Sequence, residues 1–503
     1  MNTCAKCLAS VRSSRWNHPT YDFSTSTHFL LAVLVTAIAL ALTPTTANAQ
    51  QQPMFGRLFP ELPAYAGADD ATLQALTAAG TTASPGPLFD TNITAPVNPN
   101  DDNPDNVPSF FTYFGQFVDH DMVLDKLPLP DVSVDPTTLP NYRDPRLNLD
   151  SVYAGGPDAN PELYEADGKH LKVNGRDLAR NPDGSAIIAE GRNDENQVVA
   201  QIHVAFLRAH NHLIDQGYSF VRARELMRWR YQWIVVHEFL KDVLDTGVYA
   251  DVLRSDGTIR TRYYQPNHAR KAEMPVEFSV AAYRFGHSQV RKAYILAQFT
   301  PPAAPVKIQV FNGTSNDLHG GRPITPDHVI FWPNFLPVDG QPPTGQVGTG
   351  QPVANIGRKI DTLLSSGLFV LPIPGVETSG PSILALRNLQ RARTYGLPSG
   401  QDVAARLGAP VLTNADIVSH IPRLAVLSDG AYRNAAPLWL YVLAESQIVH
   451  NGAKLGPVGS RIVAEVIGGL LAADNKSFYS KGWTPDGGSF RAQDLLKEAG
   501  VLP

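Results

Sequence analysis

Ten consecutive residues, Tyr113 to Met122 (Tyr-Phe-Gly-Gln-Phe-Val-Asp-His-Asp-Met), constrain this chain more than any other stretch. Read as a helix, its flanks Tyr113, Phe114, Phe117, Val118 and Met122 are apolar around most of the circumference, which is the pattern of a buried helix. Gln116, Asp119 and His120 stand at i, i+3 and i+4, so an amide, a carboxylate and an imidazole share one face within one turn. Buried polar groups are costly unless each finds a partner, so three of them on one face ask for a ligand. Asp121 is turned about 100° away by the helical period and must meet something different. Two sites are implied. The alternative, a solvated face of ordinary exposed residue types, conflicts with the apolar flanks.

The rest of the chain is long enough to carry such a site. With 503 residues, 43% hydrophobic and 18% charged, it has the composition of a globular protein. Its 41 prolines, about 8% where ~5% is usual, predict long ordered loops between helices. The N-terminus reads as a signal peptide: Lys6, Arg12 and Arg15 precede an apolar run from Phe29 to Leu42, and Ala47-Asn48-Ala49 follows. That run falls short of the ~20 residues a spanning helix needs, so cleavage after Ala49 is expected, with export to the periplasm or medium. A long n-region leaves an uncleaved anchor as the alternative. Both cysteines, Cys4 and Cys7, lie in the leader, so the mature chain has no disulfide and relies on its core and on any bound metal or cofactor. Removing the leader takes Lys6, Arg12, Arg15 and Asp22, which moves the formal net charge from −5 to −7. No basic block points to nucleic acid or to an anionic membrane.

In chain order, residues 50–105 read as an arm rich in Pro, Gly, Asn and Asp, with one helical candidate near Asp69 to Ala79. The opening helix runs from Pro108 to Met122. Asp144, Asn148 and Asp150, with the carbonyl of Arg146, form an oxygen-rich set suited to calcium. The register lacks the Gly and Glu of an EF-hand, and without a cation the same residues would make an ordinary turn. Arg192 and Glu195 open a long amphipathic helix, where Asp194 with Gln197 looks like a capping box. Taken alone, Arg192 and Glu195 read as a surface ion pair at i, i+3, and His203, His210 and His212 as packing or surface histidines. Leu226 to Leu244 is a core helix by period. Its His237-Glu238 is no zinc-protease motif, because Lys241 stands where the second His belongs. Pro275 to Val290 reads as another helix, bearing Arg284 and His287, and Ser382 to Leu407 carries Arg387-Asn388-Leu389-Gln390-Arg391. Asn434 to His450 and Gly459 to Ala472 close the chain as two helices.

Together these stretches resemble the animal-type haem peroxidases of the peroxidase-cyclooxygenase superfamily, especially bacterial members. The resemblance rests on Gly-Gln-Phe-Val-Asp-His-Asp at 115–121, Arg-Asn-Asp-Glu at 192–195, Arg-Phe-Gly-His at 284–287 and Arg-Asn-Leu-Gln-Arg at 387–391, and it covers roughly residues 106–475. It implies a mainly α domain over 106–503 with long loops and little sheet. It implies Gln116, His120 and Arg192 on the distal side of a b-type haem and His287 as the proximal iron ligand. Asn388 would accept a hydrogen bond from the other ring nitrogen of His287. Arg284 and Arg391 would pair with the propionates, and Asp119 and Glu195 would form ester links to the haem methyls. Asp121, Asp144, Asn148 and Asp150, with the Arg146 carbonyl, would hold calcium.

The chemistry implied is peroxidase chemistry in a monomer that takes hydrogen peroxide and small anionic or phenolic donors. His120 serves as base and then acid, while Arg192 and Gln116 stabilise developing charge. Asn196 stands where the most oxidising members carry a Met bonded to a haem vinyl, so bromide, iodide and thiocyanate are expected as donors in place of chloride. Asp144, Asn148 and Asp150 stand where the family often has Thr, Asp and Ser. Two other readings remain on the same fold. A fatty-acid dioxygenase needs a radical-forming Tyr three residues before the proximal His, where this chain has Arg284 and only Tyr283 nearby. A non-catalytic adhesion module should have lost one of His120, Arg192 or His287.

Overall fold

A helix that is apolar on every side can only sit inside a molecule, and two such helices mark the centre of this one. The computed structural model describes residues 53–77, 86–90, 105–127, 133–266, 272–298, 306–343, 355–368, 371 and 383–502. Among them, six helices reach eleven residues: α1 (Ser109–Met122), α2 (Gln197–Asp215), α3 (Phe220–Ile234), α4 (Leu384–Thr394), α5 (Leu438–His450) and α6 (Pro457–Ala473). Leu438 to Ala444 of α5 are buried without a break, and α6 packs alongside. The leader lies outside the described residues. Among the described ones, no helix is long and apolar enough to cross a membrane.

The architecture is mainly α, as expected, with three two-stranded sheets among the described residues. α1 starts after Pro108 and ends where Val123 turns extended, its N–H still bonded to the Asp119 carbonyl. Its aromatic residues hold it against α2 and α3. Phe117 stacks on Phe206 at 4.6 Å, and Phe114 meets Tyr231 edge-on at 6.1 Å. The period of Leu226 to Leu244 continues α3 through a wide turn, Val235–Phe239, into Leu240–Val243.

Two expectations are corrected. Pro275 to Val290 is not one helix but a wide turn (Glu277–Ala281), a tight turn (Ala282–Phe285) and a four-residue helix (Gly286–Gln289). The backbone leaves the helical region at Ala281 (φ −125, ψ −76), and the Ser279 carbonyl accepts a hydrogen bond from Arg284 Nε at 3.0 Å. Asp194 and Gln197 form no capping box: Asn196 caps α2 through Val198 N at 2.8 Å, while Asp194 faces the fork of Arg180 at 2.7 and 2.9 Å.

The arm is stitched to the body beside the segment that bears His287. Phe55–Gly56 pairs in parallel with Met274–Pro275. The buried carboxylate of Glu277 accepts from Leu58 N at 2.9 Å and Phe59 N at 3.1 Å. Arg57 reaches the carbonyls of Tyr395 and Gly396, just past α4.

Candidate functional site

α1 presents His120 from its last turn, and Nδ1 of that ring lies 2.8 Å from Asn193 Oδ1. Burial, then the nearby Arg192 charge, pushes the His120 pKa down to about 3, so the ring is neutral. Arg192 is not the surface partner of Glu195 that its spacing suggests. Its Nε and Nη2 clasp Glu190 at 2.9 Å each, and Nη2 also donates to the carbonyls of His120 (3.1 Å) and Val123 (2.7 Å). Burial pushes Glu190 up, but the Arg192 and Arg143 charges win and hold it at about 2. The guanidinium thus closes the end of α1, while its Nη1 takes no hydrogen bond among the described residues.

On the opposite side, helix Gly286–Gln289 packs along α1 and carries His287. Tyr283 Oη donates to the Gly115 carbonyl at 3.3 Å, which ties the two elements together. Nδ1 of His287 faces Asn388 Nδ2 of α4 at 2.9 Å. Burial, then Arg284, lowers the His287 pKa to about 3. The expected polarity of the Asn388 contact is reversed: Arg284 Nη1 donates to Asn388 Oδ1 at 2.9 Å, which turns the amide nitrogen toward the ring. Arg391 is held by Asp125 at 3.0 Å and by the Leu127 carbonyl at 2.9 Å.

Between the two sides stand polar groups without partners. Gln116, Asp119 and Glu195 make no side-chain hydrogen bond among the described residues, nor does Nε2 of either His120 or His287. Burial, opposed by the charges of Arg192 and Arg284, raises the Asp119 pKa, so this carboxyl feels the guanidinium on each side. Asp119, Arg284 and His287 keep accessible surface although burial dominates each of their pKa shifts. Glu195 is exposed by area and yet raised chiefly by burial. Surface that is accessible but poorly solvated belongs to the wall of an internal cleft.

The sequence model of the animal haem peroxidase family matches residues 155–496. The chain belongs to that family. Peroxinectin A of Dictyostelium discoideum is 26% identical over 296 residues, 55% of this chain and 48% of that protein. A peroxidase-like protein of Margaritifera margaritifera is 24% identical over 440 residues, 70% and 53%. The chain thus spans about half the length of these curated relatives. Among solved structures, peroxidase A of Dictyostelium discoideum superposes with a TM-score of 0.62 at 18% identity, covering 90% of this chain and 94% of that one. A fatty acid alpha-dioxygenase of Arabidopsis thaliana gives 0.58 at 15%, covering 89% and 77%. At these identities the structural likeness speaks for the fold.

Membership of the animal haem peroxidase family implies haem, and the cleft fits it. Two neutral imidazoles on adjoining elements are each held at Nδ1: His120 by an amide oxygen, which leaves its Nε2 bare, and His287 by an amide nitrogen that must turn before its Nε2 can take iron. The unpartnered carboxyls of Asp119 and Glu195 stand nearby, with Arg284 and Arg391 beyond.

The calcium set is assembled in part. Asp121 is buried and accepts from Leu149 N, Ser151 N and Ser151 Oγ at 3.1, 3.2 and 2.8 Å. Asp150 Oδ1 is buried without a hydrogen bond. Burial and the Asp121 charge push the Asp150 pKa up to about 8, as expected of two carboxyls placed close together. Leu147 and Leu149 hold the loop in left-handed backbone at φ 53 and 59. Asp144 does not join: its oxygens face Arg146 Nε (2.7 Å), Arg146 Nη2 (2.8 Å) and Asn148 Nδ2 (2.9 Å), while Asn148 Oδ1 accepts from Asp150 N at 3.0 Å. The Arg146 carbonyl lies 3.4 Å from Gln232 Nε2. Among the described residues, no three of His, Cys, Asp and Glu converge on one point.

Sequence reasoning missed Glu190, Arg143 and Asn193. Arg143 links the two sites, donating to Glu190 at 2.8 Å and standing 3.8 Å from Asp150. Glu190, two residues from Arg192, and Asn193, inside the Arg-Asn-Asp-Glu stretch, left a signal without a role; Arg143 left none.

Proposed function

We propose that this protein is a haem-dependent peroxidase that cleaves hydrogen peroxide and oxidises bromide, iodide, thiocyanate or small phenols. One observation carries the reading: two neutral histidines on adjoining elements, His120 buried and His287 partly so, each clamped at Nδ1 by an asparagine, His120 by Asn193 and His287 by Asn388. His287 would hold the haem iron. The open Nε2 of His120 takes a proton from peroxide and returns it to the leaving oxygen. Gln116 and the open Nη1 of Arg192 orient the peroxide and stabilise the charge that develops. Arg284 and Arg391 exchange their present partners for propionates, and Asp119 and Glu195 supply the ester links. Bound haem provides the redox chemistry that links peroxide to the donor. Asp121 and Asp150 would hold calcium behind the distal helix, and Asp144, Asn148 and the Arg146 carbonyl would join them only by giving up their present partners.

Asn196, which caps α2, stands where a methionine link would strengthen the oxidant, so bromide, iodide and thiocyanate are favoured over chloride. The dioxygenase reading is weaker because the Tyr283 hydroxyl is tied to Gly115 and its ring stacks on Phe278 at 4.7 Å. The working form is the monomeric chain from Gln50 onward, secreted or periplasmic.

The test is the optical spectrum before and after acid-acetone extraction, with peroxide-dependent bromide and thiocyanate oxidation. A Soret band that resists extraction, and turnover that falls about 10²–10⁴-fold in His120→Ala, supports the assignment. A chain that binds no haem when haem and calcium are supplied refutes it. Oxygen uptake with a polyunsaturated fatty acid would favour the dioxygenase.

A further inference from the structure

Asn193 has no part in the expectations drawn from the sequence, and His203 reads there as a packing residue. In the structure both continue from the distal histidine in one chain of contacts. His120 Nδ1 is 2.8 Å from Asn193 Oδ1, and Asn193 Nδ2 is 2.9 Å from His203 Nδ1. Asn193 and His203 are fully buried. An amide has one accepting end and one donating end. With its oxygen toward His120, the proton of that ring sits on Nδ1 and the lone pair on Nε2. With its nitrogen toward His203, Nδ1 of the second ring is the bare acceptor and its proton sits on Nε2. That Nε2 has no hydrogen-bond partner among the described residues, and the ring stands edge-on to Phe117 at 6.0 Å. Asn193 is fixed in turn by its backbone, whose N–H donates to the Glu190 carbonyl at 3.0 Å.

We propose that Asn193 and His203 are positioning residues that hold His120 in its Nδ1–H tautomer, so that Nε2 is always the open base. The inference rests on the peroxidase reading. Asn193 selects the tautomer. His203, by accepting from the nitrogen end, keeps the amide from turning end for end. Were the amide reversed, His120 would carry its proton on Nε2 and present a donor where a base is needed.

The test uses the full haem-loaded chain and two reactions that each hand a proton to the distal base. These are the reaction with hydrogen peroxide and the association of cyanide, which arrives as hydrogen cyanide and is read as a binding rate from the Soret shift. Asn193→Leu is expected to slow both about 10–100-fold, the usual cost of losing a residue that orients a functional histidine. Haem content and the donor-oxidation step should stay unchanged, with the melting temperature lowered only by the cost of two unmade buried hydrogen bonds. Asn193→Asp, which still accepts from Nδ1–H, should recover most of both rates. Unchanged rates in Asn193→Leu overturn the proposal. So does a parallel loss of haem, stability and donor oxidation, which would mark a merely structural residue. If Asn193→Leu does not fold, His203→Leu and His203→Gln decide: loss with Leu and recovery with Gln, which offers an acceptor to the amide, supports it, and no loss with Leu overturns it. A failure of the peroxidase reading itself would appear in the unsubstituted protein, as absent turnover and absent cyanide binding.

Discussion

Asn388 Nδ2 lies 2.9 Å from Nδ1 of His287, and Arg284 holds the oxygen of the same amide at 2.9 Å. The direction of the amide therefore depends on where Arg284 points. An anion that takes Arg284 frees the amide to turn, so that its oxygen accepts from Nδ1–H and Nε2 keeps its lone pair for iron. Asn388→Leu is expected to weaken haem retention about 10–100-fold, measured as haem lost on dilution by the fall of the Soret band.

Gly320 lies against the turn that carries Arg192 and Asn193. Gly320 N donates to the Glu195 carbonyl and Gly321 N to that of Asp194 at 2.9 and 2.7 Å, and a Cβ on Gly320 would sit 1.6 Å from the Asp194 oxygen. Backbone cannot yield as a flexible side chain can, so Gly320→Ala should destabilise by about 1–3 kcal/mol or more, read by urea unfolding. The distal rates should fall with it, because the turn that positions Asn193 moves.

Burial and the neighbouring Asp121 carboxyl penalise a charged Asp150 unless a cation is bound there. EGTA should lower the melting temperature, and calcium at about a hundred times its Kd should restore about 2.7 kcal/mol. Asp150→Asn should abolish the calcium response while removing the repulsion, so its EGTA-treated melting temperature should exceed that of the unsubstituted chain. Calorimetry with and without calcium reads both.

Glu445 is buried at the start of α6, where it accepts from Val458 N and Gly459 N. Burial outweighs those bonds and raises its pKa from 4.5 to about 8. The folded state thus holds a proton that the unfolded state releases, so this contribution is complete below about pH 4.5 and is lost as pH rises through 8. Glu445→Gln should therefore gain melting temperature relative to the unsubstituted chain between pH 5 and 9, and a difference flat with pH would contradict this.

What the sequence disclosed was whatever follows from local period and order. α1 was bounded within one residue, and α5 and α6 within a few, because apolar spacing and flanking prolines act locally. His120 and His287 were identified from motifs. Asn388 was named as the partner of His287, although with the opposite polarity, whereas the partners of His120 and Arg192 were not. Glu190 outcompetes Glu195 for Arg192 because the turn folds the shorter spacing inward, and Arg180 reaches Asp194 only once a hairpin brings it round. Asn193 and His203 are ten residues apart across a tight turn and a helix start, so no single period relates them. The break at Ala281 escaped notice because each fragment is apolar enough to pass for part of one helix.

The grip of Glu277 on Leu58 and Phe59 spans 219 and 218 residues of chain. At about 5–20 residues per second, a ribosome takes roughly ten to forty seconds to deliver one end of that contact after the other. The stretch from Pro53 to Phe55 can pair earlier with Leu139 and Asn141, but Leu58 and Phe59 wait for Glu277, so the arm closes on the body in two stages set by the order of synthesis.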